Sequence, residues 1–411
     1  NADHARHHAA RSDLESEFIF EKSPEMKLIV LISFFLSHSS AFSKIVPVSV
    51  FGPQNEQIDG QFIVKFHSDA RIQFNQFLQK QFTEQMSLYD FGDFMGFGAI
   101  LSERELEVIQ LLDGVEMIEP NTKMFAFGEQ LDVKAWGIDR SDQTLLPLDE
   151  IYRWDDSADG TGSTVFILDT GIDTTHSQFE GRATFAADCV GFGECITDID
   201  PGDGHGHGTH CAGTAVSKDF GIAKNAIVSS VRCLDSNGRG TTAGVVKAIE
   251  YVADLSGDSN IISMSLGGGF SQILNDAVDA AHKSGVVIVV AAGNSNSDAC
   301  RGSPGSAPLA LTVAASDITD RKASFSAFGS CVKVWAPGTN ILSTLPNEST
   351  GLFSGTSMST PHVAGAVALV LSRGQSQSPD QVLATILGEA TANVIDNVPD
   401  GTPNRLLYTS P

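Results

Sequence analysis

Basic residues are scarce in this chain. Its 411 residues include 26 lysines and arginines against 50 aspartates and glutamates, which gives a formal net charge of −24. A surface with this balance repels the phosphates of nucleic acids and the headgroups of anionic lipids. The composition therefore argues against a nucleic-acid partner and against an anionic membrane, and it favours solubility.

Long apolar runs are scarce as well. The one that stands out, Leu28 to Leu36, is about half of the roughly 20 residues that a membrane-spanning helix needs. It follows Met26-Lys27 and precedes small residues up to Ser43, which is the order of a secretory signal. We therefore predict a signal peptide over 26–43, a secreted extracellular product and no membrane segment after processing. Residues 1–25 are polar, lack an initiating Met and are predicted to be upstream read-through without a structural role.

Strand-like and helix-like segments alternate in the later part of the chain. The strand candidates are short, apolar and rich in β-branched residues, and they lie at 164–169, 226–233, 260–265 and 285–292. Helical patterns lie between them at 207–217, 241–255 and 271–284. This order predicts an α/β fold in which helices flank a parallel sheet, with reactive residues at the carboxyl ends of the strands.

Three short segments carry the side chains that serine hydrolysis requires. Asp169 ends the first strand candidate, His207 is the second residue of Gly-His-Gly-Thr-His-Cys-Ala-Gly, and Ser357 lies in Gly-Thr-Ser-Met-Ser-Thr-Pro before an apolar helix. The chemistry needs a hydroxyl nucleophile, an imidazole to accept its proton and a carboxylate to orient the imidazole. Taken singly, such an Asp is usually a turn residue and such a Ser a helix cap. Together they predict a hydrolase.

The glutamate of a zinc protease motif is missing. His205, His207 and His210 fall within six residues, which suggests metal binding, and His207 and His210 share a helical face. The zinc-dependent motif requires Glu directly after the first His of the pair, and Gly208 stands there instead. The sequence therefore argues against zinc binding by these histidines.

All three segments resemble the subtilase family of serine proteases, most closely its proteinase K-like branch, with features of the aqualysin and Vibrio-protease relatives. The resemblance runs from about Trp136 to about Leu387. It implies a subtilisin-like catalytic domain in which Asp169 orients His207 and His207 deprotonates Ser357. It also implies that the side chain of Asn294, together with a backbone N–H at the start of the Ser357 helix, binds the oxyanion.

The resemblance extends to the substrate cleft. Two segments are expected to clasp an extended peptide by main-chain bonds, and a third is expected to line the first specificity pocket; they are Gly238-Arg239-Gly240, Ser265-Leu266-Gly267-Gly268 and Ala291-Ala292-Gly293. Because no charge is evident in these segments, an apolar or aromatic side chain is expected before the scissile bond (P1). The predicted substrates are proteins or peptides, cleaved by a monomer that needs no catalytic cofactor.

An inhibitory pro-domain is predicted over 44–128, ahead of a peptidase domain over 129–411. Its elements follow the order strand, helix, strand, helix, strand, at 61–67, 69–85, 95–101, 103–112 and 114–120. The order resembles the ferredoxin-like pro-region of subtilases, which implies cleavage around Phe127 to Gln130 and a zymogen that its own pro-domain inhibits. The alternative is an N-terminal structural domain, or a binding protein that keeps the cleaved segment in its cleft.

The six cysteines fit an oxidising compartment. Cys300 and Cys331 resemble a disulfide pair of the aqualysin and Vibrio relatives. Cys189 and Cys195 suit a small local loop across two glycines. Cys211 matches a buried free thiol of the family, which leaves two possibilities for it and Cys233: both are free, or they bond to each other.

A structural calcium site is expected in one acidic loop. Asp139, Asp142, Gln143 and Asp149 resemble a calcium loop of the aqualysin and Vibrio relatives, and hard oxygen ligands of this kind suit Ca²⁺. The alternative is an acidic surface loop that binds no ion. At another calcium site of the family a carboxylate is replaced here by Lys333, whose ammonium group would take the place of the cation.

Overall fold

A computed structural model describes residues 45–49, 57–78, 86–122, 127–255, 257, 259–374 and 377–410. The predicted signal peptide (26–43) and residues 1–25 lie outside them. Within the described residues, none of the helices has the length and apolar character needed to cross a membrane. The chain divides into two units, residues 1–124 and 125–411.

The first unit contains a four-stranded antiparallel sheet with the strand order β2-β3-β1-β4. Its elements are β1 (Gln57–Phe66), α1 (Arg71–Leu78), β2 (Met86–Phe91), β3 (Phe94–Ile100), α2 (Glu103–Ile109) and β4 (Val115–Thr122). The order β-α-β-β-α-β is that of a ferredoxin-like fold. The rings of Phe77 and Phe97 stack at 4.6 Å in a core that also contains Phe66 and Phe74.

The second unit is built on a nine-stranded sheet of the order β18-β19-β15-β14-β12-β10-β7-β9-β8, parallel except for the pair β18 and β19. Its strands are β5 (Phe127–Gln130), β6 (Tyr152–Asp155), β7 (Thr164–Asp169), β8 (Ala183–Asp188), β9 (Ile227–Arg232), β10 (Asn260–Met264), β11 (Gly268–Gly269), β12 (Val287–Ala291), β13 (Gly302–Ser303), β14 (Leu311–Ser316), β15 (Val334–Pro337), β16 (Ile341–Leu345), β17 (Ser349–Phe353), β18 (Thr391–Ala392) and β19 (Arg405–Leu406). Its helices are α3 (Trp136–Ser141), α4 (His207–Val216), α5 (Thr242–Ala253), α6 (Gln272–Lys283), α7 (Thr356–Ser372) and α8 (Pro379–Glu389), with 3₁₀ turns at Ser177–Phe179 and Ala299–Arg301.

Helices cover both faces of this sheet. Along β7, Val165 and Ile167 pack into the core under α4 and α7, whereas Phe166 and Leu168 pack into the core under α5 and α6. Strands buried on both faces are apolar throughout, which explains why β7, β10 and β12 stand out in the sequence. The expected α/β fold with a helix-flanked parallel sheet is confirmed.

Both expected cysteine pairs form disulfides, Cys189–Cys195 and Cys300–Cys331. Cys211 and Cys233 are buried free thiols. Cys211 belongs to the core on the α4 side and Cys233 to the core on the α5 side. The sheet separates the two thiols, so the possibility of a bond between them is excluded.

The start of the second unit is an antiparallel pair of strands. β5, which contains the segment where cleavage is expected, pairs with β6. The Gln130 side chain donates to the carbonyl of Asp219 at 2.9 Å and accepts from the Lys224 ammonium group. Lys224 is 9% exposed and lies over the rings of Tyr152 and Trp154, and burial lowers its pKa to about 7.

Candidate active site

The reactive side chains gather at one edge of the sheet. β7 ends at Asp169, β10 is followed by Ser265, and β12 is followed by the loop that contains Asn294. Because β7, β10 and β12 are parallel neighbours, their carboxyl ends lie side by side. The helices α4 and α7 begin at this edge, and their first turns contain His207 and Ser357.

Asp169 and His207 form a close pair. The Nδ1 atom of His207 lies 2.7 Å from one carboxylate oxygen of Asp169 and 2.9 Å from the other. The Asp169 side chain is fully buried and also accepts from the backbone N–H of Thr170 at 2.7 Å. The imidazole therefore donates Nδ1–H to the carboxylate, and this bond fixes its tautomer and leaves Nε2 free to accept a proton.

The electrostatics of the pair favour a protonated imidazole. Burial lowers the pKa of His207, but the charge and hydrogen bond of the Asp169 carboxylate together with the contributions of Cys211 raise it, and the net shift is upward. The thiol of Cys211 lies under the ring, with Sγ 4.0 Å from Nδ1. Burial raises the pKa of Cys211, so the thiol stays neutral and donates to the carbonyl of Ser357 at 3.5 Å. The site thus stabilises the charge that His207 acquires when it takes a proton.

Ser357 is the second residue of α7 and remains accessible to solvent. Its hydroxyl donates to the carbonyl of Ser265 at 3.1 Å, and the Ser265 hydroxyl donates back to the carbonyl of Ser357 at 2.8 Å. No hydrogen bond joins the Ser357 hydroxyl to His207 within the described part of the chain. Such bonds are often loose without substrate and tighten in the reacting complex, and rotation about Cα–Cβ of Ser357 redirects its hydroxyl.

The amide of Asn294 is held in one orientation. Its Oδ1 accepts from the backbone N–H of Thr356 at 2.8 Å and from the Thr356 hydroxyl at 2.9 Å. The hydroxyl of Thr356 accepts in turn from the N–H of Gly293 at 3.2 Å. Because both acceptor positions of Oδ1 are used, the NH₂ group is the part of the amide left to donate into the cleft.

Two cavities meet at Ser265. A cavity of about 360 Å³ contains the predicted pocket residues Ala291, Ala292 and Gly293 together with Asn294 and Ser357. A groove of about 610 Å³ contains Gly238, Arg239 and Gly240 together with His205 and His207. The segment Ser265-Leu266-Gly267-Gly268 lines both of them. The structure therefore brings together all of the predicted substrate-binding segments.

The expectation that these segments carry no charge is wrong. Arg239 belongs to one of these segments and lines the groove. Outside the segments, Asp298 and Arg301 line the smaller cavity. Asp298 also caps a 3₁₀ turn, where it accepts from the backbone N–H of Cys300 at 3.0 Å. The pocket wall is thus mixed, with one charge of each sign beside the small residues.

Asp203 is a further residue that the sequence did not reveal. One of its carboxylate oxygens accepts from the Thr170 hydroxyl and from the backbone N–H groups of His205 and Gly206, at 2.8–3.0 Å. The other accepts from the backbone N–H and the hydroxyl of Thr209, at 2.9 and 2.7 Å. Asp203 therefore caps α4 and ties it to the residue after Asp169. Its position three residues before the helix-capping Gly206 was the available signal.

The other two histidines have separate environments. His210 is fully buried, its Nε2 donates to the carbonyls of Ile341 and Gly351, and burial lowers its pKa to about 4. Nε2 of His210 is used in these hydrogen bonds and Nδ1 of His207 is used in the bond to Asp169. These bonds argue against a zinc ion held by the pair His207 and His210. The ring of His205 is exposed, with its centroid 6.2 Å from that of His207.

In the expected calcium loop, the carboxylates of Asp139, Asp142 and Asp149 lie close enough for their charges to interact. Asp139 accepts from the N–H groups of Asp149 and Glu150 at 3.4 and 3.0 Å, and burial raises its pKa. Burial raises the pKa of Asp142 to about 7. Two buried oxygens have no hydrogen-bond partner, Oδ1 of Asp142 and Oε1 of Gln143. Oxygen atoms that are buried without partners fit a hard cation.

Sequence and structure comparisons assign the chain to a family. The sequence model of the subtilase family matches residues 160–406. A cuticle-degrading protease of Metarhizium anisopliae is 41% identical over 88% of this chain and 93% of its own length. Alkaline serine exoprotease A of Vibrio alginolyticus is 37% identical over 88% of this chain and 69% of its own length.

A solved structure is similar as well. The crystal structure of a cold adapted subtilisin-like serine proteinase superposes with a TM-score of 0.65 at 41% identity. The match covers 68% of this chain and 99% of the other. Together with the matched family and relatives, it shows that the chain has a subtilisin-like fold.

Proposed function

The chain belongs to the subtilase family of serine peptidases, and on this premise we propose that it is a secreted endopeptidase made as a zymogen. The observation that carries the proposal is the buried Asp169–His207 pair at the sheet edge where Ser357 begins α7. Secretion is supported by the sequence pattern of 26–43 and by relatives such as the extracellular serine proteinase of a Thermus strain. The two disulfides are consistent with an oxidising compartment.

The proposed reaction uses Ser357 as the nucleophile. His207 Nε2 takes the proton of the Ser357 hydroxyl while Oγ bonds to the carbonyl carbon of the scissile peptide. The resulting imidazolium then gives this proton to the leaving amine as the C–N bond breaks. In the second half, His207 takes a proton from water as the water oxygen bonds to the acyl carbon, and it gives that proton to Oγ of Ser357 as the ester bond breaks. Asp169 keeps its negative charge throughout and stabilises the imidazolium through Nδ1–H.

The oxyanion is stabilised by two donors. The NH₂ group of Asn294 is left free because Thr356 occupies both acceptor positions of its oxygen. The second donor is the backbone N–H of Ser357, which lies in the first turn of α7, where N–H groups have no partner within the helix. Both donors stand ready before the charge develops, so little reorganisation is needed.

An apolar or aromatic P1 side chain is proposed for the smaller cavity. Its volume of about 360 Å³ accommodates a large side chain, and Ala291, Ala292 and Gly293 give one part of its wall small, apolar side chains. Asp298 and Arg301 are both present on the wall, so neither sign of charge is favoured there. We place the other substrate residues along the groove beside Gly238 and Gly268.

Residues 44–128 are proposed to act as an intramolecular inhibitor and folding aid, released by cleavage around Phe127 to Gln130. The ferredoxin-like order of the first unit supports this assignment, as does its position before the peptidase unit. After cleavage, the remaining residues of β5 stay anchored because Gln130 is bonded to Asp219 and Lys224. The mature enzyme is proposed to act as a monomer on protein or peptide substrates.

Subtilases generally bind structural calcium and use no cofactor for catalysis. The proposed ligands here are Asp139, Asp142, Gln143 and Asp149, whose donor set fits because two buried oxygens lack partners. A bound Ca²⁺ would supply positive charge to the buried carboxylates of Asp139 and Asp142. Arg153 lies 2.9 Å from Asp149 and 3.7 Å from Asp142, so its guanidinium partly offsets the same negative charge.

Processing tests the proposal directly. The parent chain and Ser357→Ala are expressed in a secreting host, and the N-terminal sequence of each product is determined. The parent is expected to start within 127–130 and to cleave peptides, whereas Ser357→Ala is expected to keep the pro-domain attached. Identical processing of both proteins in a protease-deficient host would show that Ser357 does not carry out the cleavage.

A further inference from the structure

The substrate groove differs in charge from the rest of this acidic protein. Asp and Glu outnumber Lys and Arg by 50 to 26 in the chain. None of the described residues that line the groove of about 610 Å³ carries a carboxylate. Its nitrogen-bearing side chains are instead those of Arg239, His205, His207 and Asn237. Negative charge is therefore absent from the lining of this groove.

Arg239 is presented to the groove by a rigid turn. The Asp235 carboxylate accepts from the backbone N–H groups of Asn237 and Arg239, each at 2.9 Å, and the N–H of Asp235 donates to the carbonyl of Arg239 at 2.8 Å. Gly238 and Gly240 flank Arg239, so neither neighbour has a side chain that covers it. The backbone of Arg239 is thus fixed while its side chain is exposed.

The guanidinium of Arg239 has no ion pair within 4.0 Å among the described residues. Asp235 is the acidic residue of the same turn, and its Oδ1 accepts from two backbone N–H groups and forms no ion pair with the guanidinium within 4.0 Å. These hydrogen bonds lower the pKa of Asp235, with a smaller contribution from the charge of Arg239. The guanidinium therefore keeps its donors available for a ligand in the groove.

We propose that Arg239 selects substrates that carry a carboxylate side chain at the position beside it, so that the enzyme prefers acidic peptide segments. The proposal rests on the peptidase function above and names a substrate class for it. A guanidinium binds a carboxylate through two parallel hydrogen bonds, which a lysine or a neutral amide in the substrate cannot reproduce. The absence of carboxylates from the groove lining removes the repulsion that an acidic substrate would otherwise meet.

The expected preference is modest because the site is exposed. Exposed ion pairs change an equilibrium by about two- to fivefold, and we expect this ratio between kcat/KM values for a Glu peptide and the matching Gln peptide. Salt screens charges over about 10 Å at 0.1 M ionic strength and over about 3 Å at 1 M. The ratio should therefore approach one in 1 M salt.

The test uses peptides that share one P1 residue and carry Glu, Gln or Lys at a single other position, on either side of the scissile bond. The processed parent is compared with Arg239→Ala, Arg239→Lys and Arg239→Glu at low ionic strength. Arg405 is exposed, has no ion pair among the described residues and lies in the terminal strand β19, so Arg405→Ala and Arg405→Glu are matched controls for net charge.

The parent is expected to favour Glu over Gln at one position, Arg239→Ala to lose this preference and Arg239→Glu to favour Lys there. The Arg405 variants should behave as the parent does. If the parent cleaves these peptides and its Glu/Gln ratio is unchanged in Arg239→Ala, the proposal is wrong while the peptidase function stands. If no peptide is cleaved by the processed parent, the proposed function itself fails.

Discussion

Replacing Thr356 by Val tests how Asn294 is held for catalysis. Thr356 is fully buried, and its hydroxyl donates to Asn294 Oδ1 and accepts from the N–H of Gly293. Val keeps the shape of the side chain and removes both bonds. Asn294 then retains one bond to its oxygen, from the Thr356 backbone N–H. Thr356 would act through Asn294, as a positioning residue.

The magnitudes follow from these bonds. A typical hydrogen bond contributes about 1 kcal/mol net, so a less well-oriented Asn294 should lower kcat by about fivefold. KM should change little because the oxyanion forms only in the transition state. The N–H of Gly293 loses its acceptor, which should lower the free energy of unfolding by about 1–3 kcal/mol. Asn294→Ala should cost about 10²–10³ in kcat, the value known for the corresponding donor of subtilisin.

The assay is steady-state peptide cleavage with a double-mutant cycle. The double variant Asn294→Ala, Thr356→Val should be no slower than Asn294→Ala alone, since Thr356 has no other route to the oxyanion. Thr356→Ser should keep the parent kcat. Thr360→Val is the matched control, because the Thr360 hydroxyl donates to the carbonyl of Thr356 at 2.8 Å and does not touch Asn294. Additive losses in the cycle would refute the positioning role.

Three further predictions concern stability and are measured in the Ser357→Ala background, which prevents autolysis. Chelation of calcium should lower the melting temperature of the protein with the unaltered loop. A bound ion at a hundredfold excess over Kd stabilises the folded state by about 2.7 kcal/mol. The response should be much smaller in Asp139→Ala, Asp142→Ala, and a full response there would exclude the loop as the calcium site. Lys224 has a folded-state pKa of about 7 against an ordinary 10.5, so between pH 7 and 10 the unfolded chain binds the extra proton and stability rises with pH. Urea unfolding should show this rise in stability, on the order of 5 kcal/mol at most, and Lys224→Met should remove it. An equal rise in stability with pH in both proteins would contradict the assignment to Lys224. Asp203→Asn should lower the free energy of unfolding by about 2 kcal/mol or more in this background, because it loosens α4. In the active enzyme, with Ser357 retained, the same substitution should also lower kcat. Asp200→Asn is its control, with a carboxylate that accepts from Gly202 and Thr174, and equal losses in the two variants would contradict the role given to Asp203.

The central strands and the helices between them were predictable because burial on both faces demands an apolar run. The strand predicted at 164–169 has the bounds of β7, and the other predicted strands and helices of the second unit differ by a few residues at their ends. β14, with the sequence Leu-Thr-Val-Ala-Ala-Ser, was not predicted. Its small residues have low strand propensity, and pairing between β12 and β15 makes it a strand.

In the first unit, too, the segment without a clear apolar pattern was missed. The predicted strands and the helix at 103–112 correspond to β1, β3, β4 and α2, and the helix at 69–85 corresponds to α1, with 79–85 outside the described residues. β2 was missed because most of its side chains are exposed, so its sequence lacks the alternation that marks a half-buried strand.

The site was predictable where a motif carries the chemistry and was missed where contacts arise in three dimensions. Asp169, His207, Ser357 and Asn294 were named from short motifs, and the structure brings them to one edge of the sheet. Asp298 enters the pocket wall from a loop distant in sequence from Ser265. No local sequence pattern predicts such a contact.

The most direct test of the account is the site of covalent labelling by a fluorophosphonate. The processed parent is labelled, digested and mapped by mass spectrometry, and its peptidase activity is followed in parallel. The account predicts one phosphonate per molecule on Ser357, loss of activity in proportion to labelling, and no labelling of Ser357→Ala. An active enzyme that carries the label on another residue, or that is labelled equally in Ser357→Ala, would contradict it.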